Sequence, residues 1–213
     1  MREVAVEPDV AKAYPGTSVS YVEALVGSPT LAATADKVWH VVHERWHAAG
    51  RSEILRHPHV VAYRAFAASL GLDPDKQPPS IQALIDRGLR GRPPGRWPRI
   101  NPVVDLLNAV AVDTMTALGV FDADRVSGAV RLAFTTGGEN FHPLGGSARS
   151  LPPGRLVLAD DVRVLSLFAE RDGVHQAVTP ETTRVLLLGC AVPGVAVGAV
   201  RDAVTSLATR MAG

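Results

Sequence analysis

The pattern with the most specific chemistry in this sequence is a pair of histidines four residues apart. His43, Glu44 and His47 follow the order His-Glu-x-x-His within a segment of helical periodicity. On a helix this spacing places both imidazoles on one face, where they can bind zinc while the glutamate activates a water molecule. Glu53, which follows the helix-ending Gly50, is a candidate third ligand. The motif therefore allows a zinc metallohydrolase, but so short a pattern is a weak signal in a chain with seven histidines.

A second candidate is a basic loop between two predicted helices. It contains five arginines and one tryptophan within thirteen residues: Arg87, Arg90, Arg92, Arg96, Trp97 and Arg99. Guanidinium groups suit the geometry of phosphate, and an indole can stack on an unpaired base. The loop therefore allows two interpretations, an RNA-binding surface or an ordinary solvated loop.

Composition places few limits on the partners of this chain. The 213 residues carry 22 lysines and arginines against 21 aspartates and glutamates, a formal charge of +1, so any nucleic-acid surface must be local. The single cysteine, Cys190, excludes an intramolecular disulfide and suits a reducing compartment. The sequence contains neither a signal-peptide core nor an apolar run of about 18 residues. These features predict a cytoplasmic globular protein that does not enter a membrane.

Helical periodicity dominates the first half of the chain. The spacing of apolar residues predicts helices over residues 31–49, 60–70, 81–89 and 102–118, and short strands over 3–6 and 18–26. The last of these helices begins with Asn101 as its cap and Pro102 as its first residue, and it is expected to end at Gly119. Opposite its apolar stripe it carries a short polar row that includes Asn108. This helix would offer polar groups to a ligand while its other side is buried.

Alternating apolar residues dominate the second half. The pattern predicts strands over residues 130–134, 141–144, 156–159, 163–168 and 185–191, followed by a helix over 195–211. The segment 185–191 is apolar throughout, as expected of a strand buried on both faces. The predicted fold is α/β, a single domain over residues 1–213 with helices in the first half and a mainly antiparallel sheet in the second. A closing C-terminal helix within residues 193–213 is expected to dock on that sheet.

Five segments in a fixed order carry a family resemblance. They read INPVVDLLN, VFDADRVSG, VRLAFTTGGENFHPLGG, PGRLVLADD and TPETTRVLL, and PSIQALIDRGLRG precedes them. Together they resemble the B3/B4 domain of the phenylalanyl-tRNA synthetase beta chain, and more closely the free-standing B3/B4 proteins. The resemblance is clear from residue 79 to residue 190 and faint outside that range.

This resemblance implies a function. In the synthetase, the B3/B4 domain binds the aminoacylated end of tRNA and hydrolyses a wrongly attached amino acid. For this chain the resemblance implies recognition of aminoacyl-tRNA and hydrolysis of mischarged species in trans. It implies tRNA as the partner, with no cofactor, no metal and no obligatory protein partner. The basic loop lies directly before the helix that carries the pocket in the family, which favours RNA binding by that loop.

The family's polar pocket is only partly retained in this sequence. Its Thr-Asn pair falls on Leu107 and Asn108, and its histidine falls on Gly119. The acid of its Gly-Gly-Glu turn falls near Val174, with His175 next to it. Two polar positions of the family are therefore apolar or empty here, so any hydrolysis would use a different polar set.

Ester hydrolysis needs little more than a positioned water and hydrogen-bond donors near the carbonyl. The catalytic candidates that the resemblance leaves are Asn108, Glu139 and His175. The pocket candidates are Asn108, Phe121, Glu139, His142 and Glu170. The RNA-binding candidates are Arg87, Arg90, Arg92, Arg96, Trp97 and Arg99.

Three functions stay open from the sequence. They are a trans-editing hydrolase, a non-catalytic module that binds RNA or an amino acid, and a zinc metallohydrolase built on His43 and His47. Leu107 and Gly119 stand where the family has a threonine and a histidine. The hydroxyl and the imidazole are therefore missing, and the expected pocket is roomier and more apolar. Such a pocket favours an apolar amino acid over tyrosine, because the phenol needs a hydrogen-bond partner. Asn108 would orient the substrate.

Overall fold

Two β-sheets face each other, and helices cover the outer side of one of them. The computed structural model describes residues 1–212. The helices are α1 (Pro8–Ala13), α2 (Leu31–Trp46), α3 (Arg51–Arg56), α4 (Pro58–Ser69), α5 (Ser80–Gly88), α6 (Pro102–Thr114) and α7 (Val197–Ala212). The strands are β1 (Arg2–Glu3), β2 (Ala5–Val6), β3 (Ser18–Leu25), β4 (Leu118–Asp122), β5 (Arg131–Phe134), β6 (Asn140–Phe141), β7 (Arg149–Ser150), β8 (Leu156–Ala159), β9 (Val164–Leu167), β10 (Arg171–Asp172) and β11 (Arg184–Ala191).

The first sheet is built around β11. Its strand order is β1-β3-β11-β4, and every neighbouring pair is antiparallel. The second sheet has the order β10-β9-β8-β5-β2 and is antiparallel except for the β2–β5 pair. β6 and β7 form a separate ribbon. The prediction that the strand at residues 185–191 is buried on both faces is confirmed, because Val185 and Leu187 on one face and Leu186 and Leu188 on the other are all buried.

Helix α7 packs against one face of the first sheet. Gly189 of β11 permits a close approach, since a Cβ atom there would lie 2.6 Å from side-chain atoms of both Val200 and Val204. Leu188 points to the opposite face and lines a cavity together with Leu158 of β8. The first sheet therefore separates α7, and α6 packed beside it, from the second sheet.

One hydrophobic core joins these layers and includes residues from Val4 to Met211. A smaller cluster around Phe141 and Leu167 lies between the second sheet and the β6–β7 ribbon. Of the helices within residues 1–212, none is long and apolar enough to cross a bilayer.

The central helix α6 is shorter than the sequence predicts. The Asn101 side chain caps it by accepting an amide hydrogen bond at 3.0 Å, and Pro102 is its first residue, as predicted. The helix ends at Thr114 because Met115 adopts the left-handed conformation, with φ 51° and a buried side chain. Leu118–Asp122 then pairs with β11 as β4, so the prediction that the helix reaches Gly119 is wrong. Pairing with β11 overrides the helical periodicity of this segment.

Most other predicted elements are confirmed with small shifts of their ends. The hairpin predicted over residues 156–168 corresponds to β8 and β9, and α7 corresponds to the predicted closing helix. The strand predicted over residues 141–144 is reduced to Asn140–Phe141. Pro143 cannot donate to a ladder, and it forms only an isolated bridge with Gly173. The short helices α1 and α3 are not predicted from the sequence.

Candidate functional site

A cavity of about 250 Å³ lies between the two sheets, and α4 contributes to its wall. Most of the wall is apolar: Tyr63, Phe66, Leu118, Phe121, Leu158, Phe168 and Leu188. These side chains come from α4, β4, β8, β11 and the turn after β9, so only the folded chain brings them together. A concave, mostly apolar site with a few polar groups is typical of small-ligand binding.

The polar groups of this cavity are concentrated on one hairpin. Ser166 of β9 and Asp172 of β10 are direct register partners, and both line the cavity. Residues opposite each other in an antiparallel pair point to the same face of the sheet. Burial raises the pKa of the Asp172 carboxyl, and the neighbouring Ser166 hydroxyl opposes this rise. The same hydroxyl has the backbone carbonyls of Leu167 and Arg171 at 3.4 Å. Asp172 therefore retains its proton to a higher pH than an ordinary aspartate.

Two other ionisable groups of the wall are neutral at physiological pH. Burial, aided by the nearby Asp172, raises the pKa of the Cys190 thiol to about 12. Burial also raises the pKa of Tyr63, although a hydrogen bond from the Ala117 amide lowers it. The Tyr63 hydroxyl donates to the Cys190 carbonyl at 2.8 Å and accepts from the Ala117 amide at 3.1 Å. Tyr63 thus connects α4 to β11 and to the segment that leads into β4.

Exposed residues from two parts of the chain form the rim of the cavity. They are Ser80 at the start of α5 and Ala169 and Arg171 around the β9–β10 turn. Ala169 turns the chain with φ 64°. Glu170, in the same turn, forms an ion pair with Arg155. Because this pair neutralises the acid, the rim presents the positive charge of Arg171 to a ligand outside.

Two of the pocket residues predicted from the sequence line this cavity. Phe121 contributes to the wall from β4, and Glu170 contributes from the β9–β10 turn. Gly119, the position at which the family has a histidine, also lies in the wall, opposite Leu188. The absence of a side chain at Gly119 enlarges the cavity there, as expected from the sequence.

Asn108 does not line the cavity. It is partly exposed on α6, which packs against α2, α5 and α7 on the helical side of the first sheet. The cavity lies on the other side of that sheet. Leu107, the neighbour of Asn108, is buried in the core. The position of Asn108 therefore gives no support to the expectation that its amide orients a ligand in the cavity.

Glu139, His142 and His175 also lie outside the cavity wall. The Glu139 carboxylate closes a turn by accepting hydrogen bonds from the Thr136 amide and hydroxyl and the Gly137 amide, at 2.6, 3.0 and 2.9 Å. Desolvation raises the pKa of Glu139, but these hydrogen bonds outweigh it and leave the pKa below its ordinary value. His142 and His175 are exposed. The three predicted catalytic residues, Asn108, Glu139 and His175, do not meet in this cavity.

Several arginines of the basic loop are engaged by the protein itself. Arg90 and Arg99 form ion pairs with acidic residues of α5 and α2. The Arg92 Nε donates to the Arg87 carbonyl at 2.6 Å. The Arg87 and Arg96 side chains are exposed and form no ion pair within residues 1–212. Of the predicted RNA-binding arginines, these two are the most available to phosphate.

Trp97 is a core residue, which corrects the expectation that it stacks on an RNA base. Its side chain is only 5% exposed and is stacked on Trp39 of α2, with ring centroids 6.3 Å apart and planes at 13°. Burying so large an apolar surface is more favourable than leaving it in solvent. The indole therefore fixes the basic loop to α2 and is not available to a base.

The histidines of the His-Glu-x-x-His motif lie in α2 and at its C-terminal cap, and both donate to backbone carbonyls. The buried His43 donates through Nε2 to Arg92, and His47 donates through Nδ1 to His43, each at 2.8 Å. The two rings are stacked, with centroids 4.7 Å apart and planes at 8°, so they do not converge on a common point. Within residues 1–212 no three His, Cys, Asp or Glu side chains, Glu53 included, are placed to hold a metal ion. The motif instead anchors the basic loop, since the Gly91 amide also donates to the His47 carbonyl at 2.9 Å.

Ser166 and Asp172 are among the cavity residues that sequence reasoning missed. Ser166 lies between Leu165 and Leu167, and a polar residue in an apolar strand is the one local signal that was available. Asp172 precedes Gly173, which is the pattern of an ordinary turn. Their proximity follows from the register of β9 and β10, which the sequence does not state.

Among the known proteins that this chain resembles are two curated relatives and one solved structure. The chain is 38% identical, over 111 residues, to the phenylalanine–tRNA ligase beta subunit of Cutibacterium acnes, covering 52% of this chain and 13% of that protein. It is 38% identical, over 88 residues, to the beta subunit of the same name from Yersinia pestis, covering 41% of this chain and 11% of that protein. An N-terminal fragment of the phenylalanyl-tRNA synthetase beta subunit from Pyrococcus horikoshii is similar with a TM-score of 0.47 and 15% identity, over 98% of this chain and 48% of the fragment.

The chain thus spans only a small part of these two curated relatives. A family model described as the B3/4 domain matches residues 62–210. The match covers more than half of the chain and includes most of α4, every strand that lines the cavity and most of α7. The resemblance seen in the sequence is confirmed, and the protein belongs to the B3/4 domain family.

Proposed function

We propose that the protein recognises the aminoacylated end of tRNA and hydrolyses the ester bond of mischarged tRNA in trans. The observation that carries the proposal is the cavity, a mostly apolar space of about 250 Å³ between the two sheets of a B3/4 domain. The amino-acid side chain is the part of an aminoacyl-tRNA that suits such a space. The relation to tRNA rests on the relatives, which are beta subunits of a tRNA ligase.

The position of α5 supports a path along this helix for the single-stranded end of tRNA. This helix begins at Ser80 on the rim and ends at Gly88, a length of about 13 Å. Arg171 is exposed at the rim, where one of its guanidinium nitrogens donates to the Leu144 carbonyl at 3.1 Å, and Arg87 is exposed in the last turn of α5. These cations can neutralise phosphates of the single-stranded end of tRNA while the aminoacyl group enters the cavity.

The proposed amino acid has an apolar or aromatic side chain. Phe66, Phe121 and Phe168 contribute aromatic surface to the wall. The sequence-based reason for excluding tyrosine was the lack of a partner for its hydroxyl. That reason does not apply to this cavity, because Ser166 and Asp172 lie in its wall. Tyrosine therefore belongs in the set of candidate amino acids.

A deacylation screen tests the proposal. Purified protein would be incubated with a panel of tRNAs, each charged with one labelled amino acid, and the loss of ester would be compared with that in buffer. We expect turnover of at least one species that carries an apolar or aromatic amino acid. Binding of each uncharged tRNA would be measured in parallel. Turnover confined to small or acidic amino acids would contradict the assignment of the cavity.

A cavity-filling variant makes the screen specific to the cavity. A Cβ at Gly119 would find its nearest neighbour, a Leu188 atom, at 3.9 Å, so a leucine at this position would project into open space. Gly119→Leu is expected to lose deacylation while it retains tRNA binding and a cooperative unfolding transition. Full activity of Gly119→Leu would show that the substrate lies elsewhere.

A non-catalytic binding module is the second candidate. It is favoured by the replacement of two polar positions of the family with the buried Leu107 and with Gly119. This candidate predicts binding of tRNA or aminoacyl-tRNA without loss of the ester. Tight binding together with no turnover across the whole panel would select it over the hydrolase.

A further inference from the structure

Asp172 is the one carboxyl group of the cavity wall, within residues 1–212, that has no cationic partner. The other wall carboxyl, Glu170, is paired with Arg155. Within the described residues, 1–212, no Lys, Arg or His nitrogen lies within 4.0 Å of the Asp172 carboxylate, the limit for an ion pair. Its polar neighbour is the hydroxyl of Ser166, the register partner on β9. Asp172 therefore lines the cavity and, within residues 1–212, has no structural ion pair to maintain.

We propose that Asp172 is the general base that removes a proton from the water attacking the aminoacyl ester, an inference that rests on the proposed function. The carboxylate accepts one proton, the water oxygen bonds to the ester carbonyl carbon, and the carbonyl electron pair moves to its oxygen. When the tetrahedral intermediate collapses, the bond from that carbon to the ribose oxygen breaks. The ribose oxygen then takes the proton from Asp172. The products are the free amino acid and tRNA with a free hydroxyl, and the carboxylate is regenerated.

Of the ionisable groups around the cavity, Asp172 is the one expected to change its protonation state in the pH range of the reaction. From β11, the Cys190 thiol has a pKa raised to about 12 by burial, and from α4 the pKa of Tyr63 is also raised by burial, so both stay protonated. On the same hairpin, Glu170 is held in its ion pair with Arg155, and the Arg171 side chain donates to the Leu144 carbonyl. Burial raises the pKa of Asp172 towards the range in which a carboxylate is an effective base near neutral pH.

The test compares Asp172→Asn with the same change at Asp202. Asparagine preserves the shape of the side chain but cannot accept the proton. On a tRNA that the wild type hydrolyses, we expect Asp172→Asn to lower kcat about 100-fold or more. KM and tRNA affinity should stay within about twofold, because the lost interaction belongs to the chemical step. Asp202 is exposed on α7, so Asp202→Asn should retain the wild-type kcat.

The pH profile provides a readout that a structural role would not change. In the wild type, log kcat should rise with pH with a slope of about one as Asp172 loses its proton, and then reach a plateau. Asp172→Asn should lack this rise. The neighbouring Ser166 hydroxyl lowers the pKa of Asp172, so Ser166→Ala should move the midpoint of the rise to higher pH.

Asp172→Asn is expected to fold, which keeps the test interpretable. In the unfolded chain Asp172 titrates near 3.8, and in the folded protein it titrates at a higher pH. The stability that this group contributes is therefore complete below pH 3.8 and is lost as the pH rises through the folded value. An asparagine does not ionise, so the Tm of the variant at pH 8 should equal or exceed that of the wild type.

The outcomes separate the inference from the proposed function. Unchanged kcat in Asp172→Asn, beside an active wild type, overturns the inference alone. A loss confined to tRNAs that carry one kind of side chain also overturns it and makes Asp172 a selector of the amino acid. An inactive wild type across the whole panel overturns the proposed function and the inference together.

Discussion

At the scale of single residues, hydrogen bonds and ion pairs determine which charges of the basic loop remain available. Arg90 and Arg99 balance carboxylates of α5 and α2, and Arg92 binds a carbonyl of its own loop. A guanidinium that already has a partner offers fewer free N–H donors to phosphate. Within residues 1–212 the side chains of Arg87 and Arg96 have no such partner, so RNA affinity is expected to depend on them most.

Replacement of Arg87 and Arg96 together with alanine is expected to weaken tRNA binding and to flatten its salt dependence. Each lost phosphate contact should reduce the slope of log K against log salt by about 0.7 to 0.9. Fluorescence anisotropy at several salt concentrations measures both quantities. The control is the double variant Lys12→Ala and Arg149→Ala, which removes two exposed cations from α1 and β7. Equal slopes in the two double variants would place the RNA surface elsewhere.

At the scale of elements, the first sheet holds one wall of the cavity in place because α7 is docked on its other face. The contact is close at Gly189, where the strand has no side chain and two valines of α7 fill the space. A larger residue at this position would force α7 and β11 apart, since interiors pack at high density and have little room to adjust.

Gly189→Ala is therefore expected to destabilise the protein by about 1–3 kcal/mol. Its Cβ would lie 2.6 Å from Val200 Cγ1 and Val204 Cγ2, which is shorter than any normal contact. Urea unfolding measures the change in the free energy of unfolding. Gly198→Ala, in the first turn of α7, is the matched control, because a Cβ there meets nothing within 4 Å. This control should be neutral or stabilising by up to about 1 kcal/mol. A similar effect of both variants would mean that α7 is not tightly docked at Gly189.

At the scale of the whole molecule, the first sheet divides a layer of helices from a cavity shared by the two sheets. Helix α6 belongs to the helical layer, and its contacts with α2, α5 and α7 use most of its surface for packing. The polar row predicted on this helix is therefore not directed at the cavity. Chemistry in this fold is expected on the side of the sheet that faces β8, β9 and β10.

Asn108→Ala distinguishes this layout from the hypothesis drawn from the sequence. Because Asn108 does not line the cavity, its replacement should change the kcat/KM of deacylation by less than about twofold. If Asn108 orients the substrate, as the family resemblance implies, the rate should instead fall about tenfold or more. The variant would be assayed beside Asp172→Asn on the same tRNA. A tenfold loss of kcat/KM with an unchanged Tm would show that the substrate contacts Asn108 on α6.

The sequence by itself determined those features that depend on neighbouring residues in the chain. The Asn101–Pro102 start of α6, the buried strand β11, the β8–β9 hairpin and the closing helix α7 all follow from caps and periodicity. The order and spacing of the five segments were enough to predict the B3/4 family, which the comparisons confirm. Such signals are local, so they can be read without knowledge of the fold.

The tertiary structure alone decided which side chains form the site. Met115 ends α6 because the chain must turn back to pair with β11, and Trp97 is buried because the basic loop packs on α2. Ser166 and Asp172 meet through the register of one hairpin, and β11, which carries Cys190, pairs with neither of its strands. Each of these arrangements depends on contacts between residues distant in sequence, and no local pattern specifies which distant residue will occupy the opposite wall.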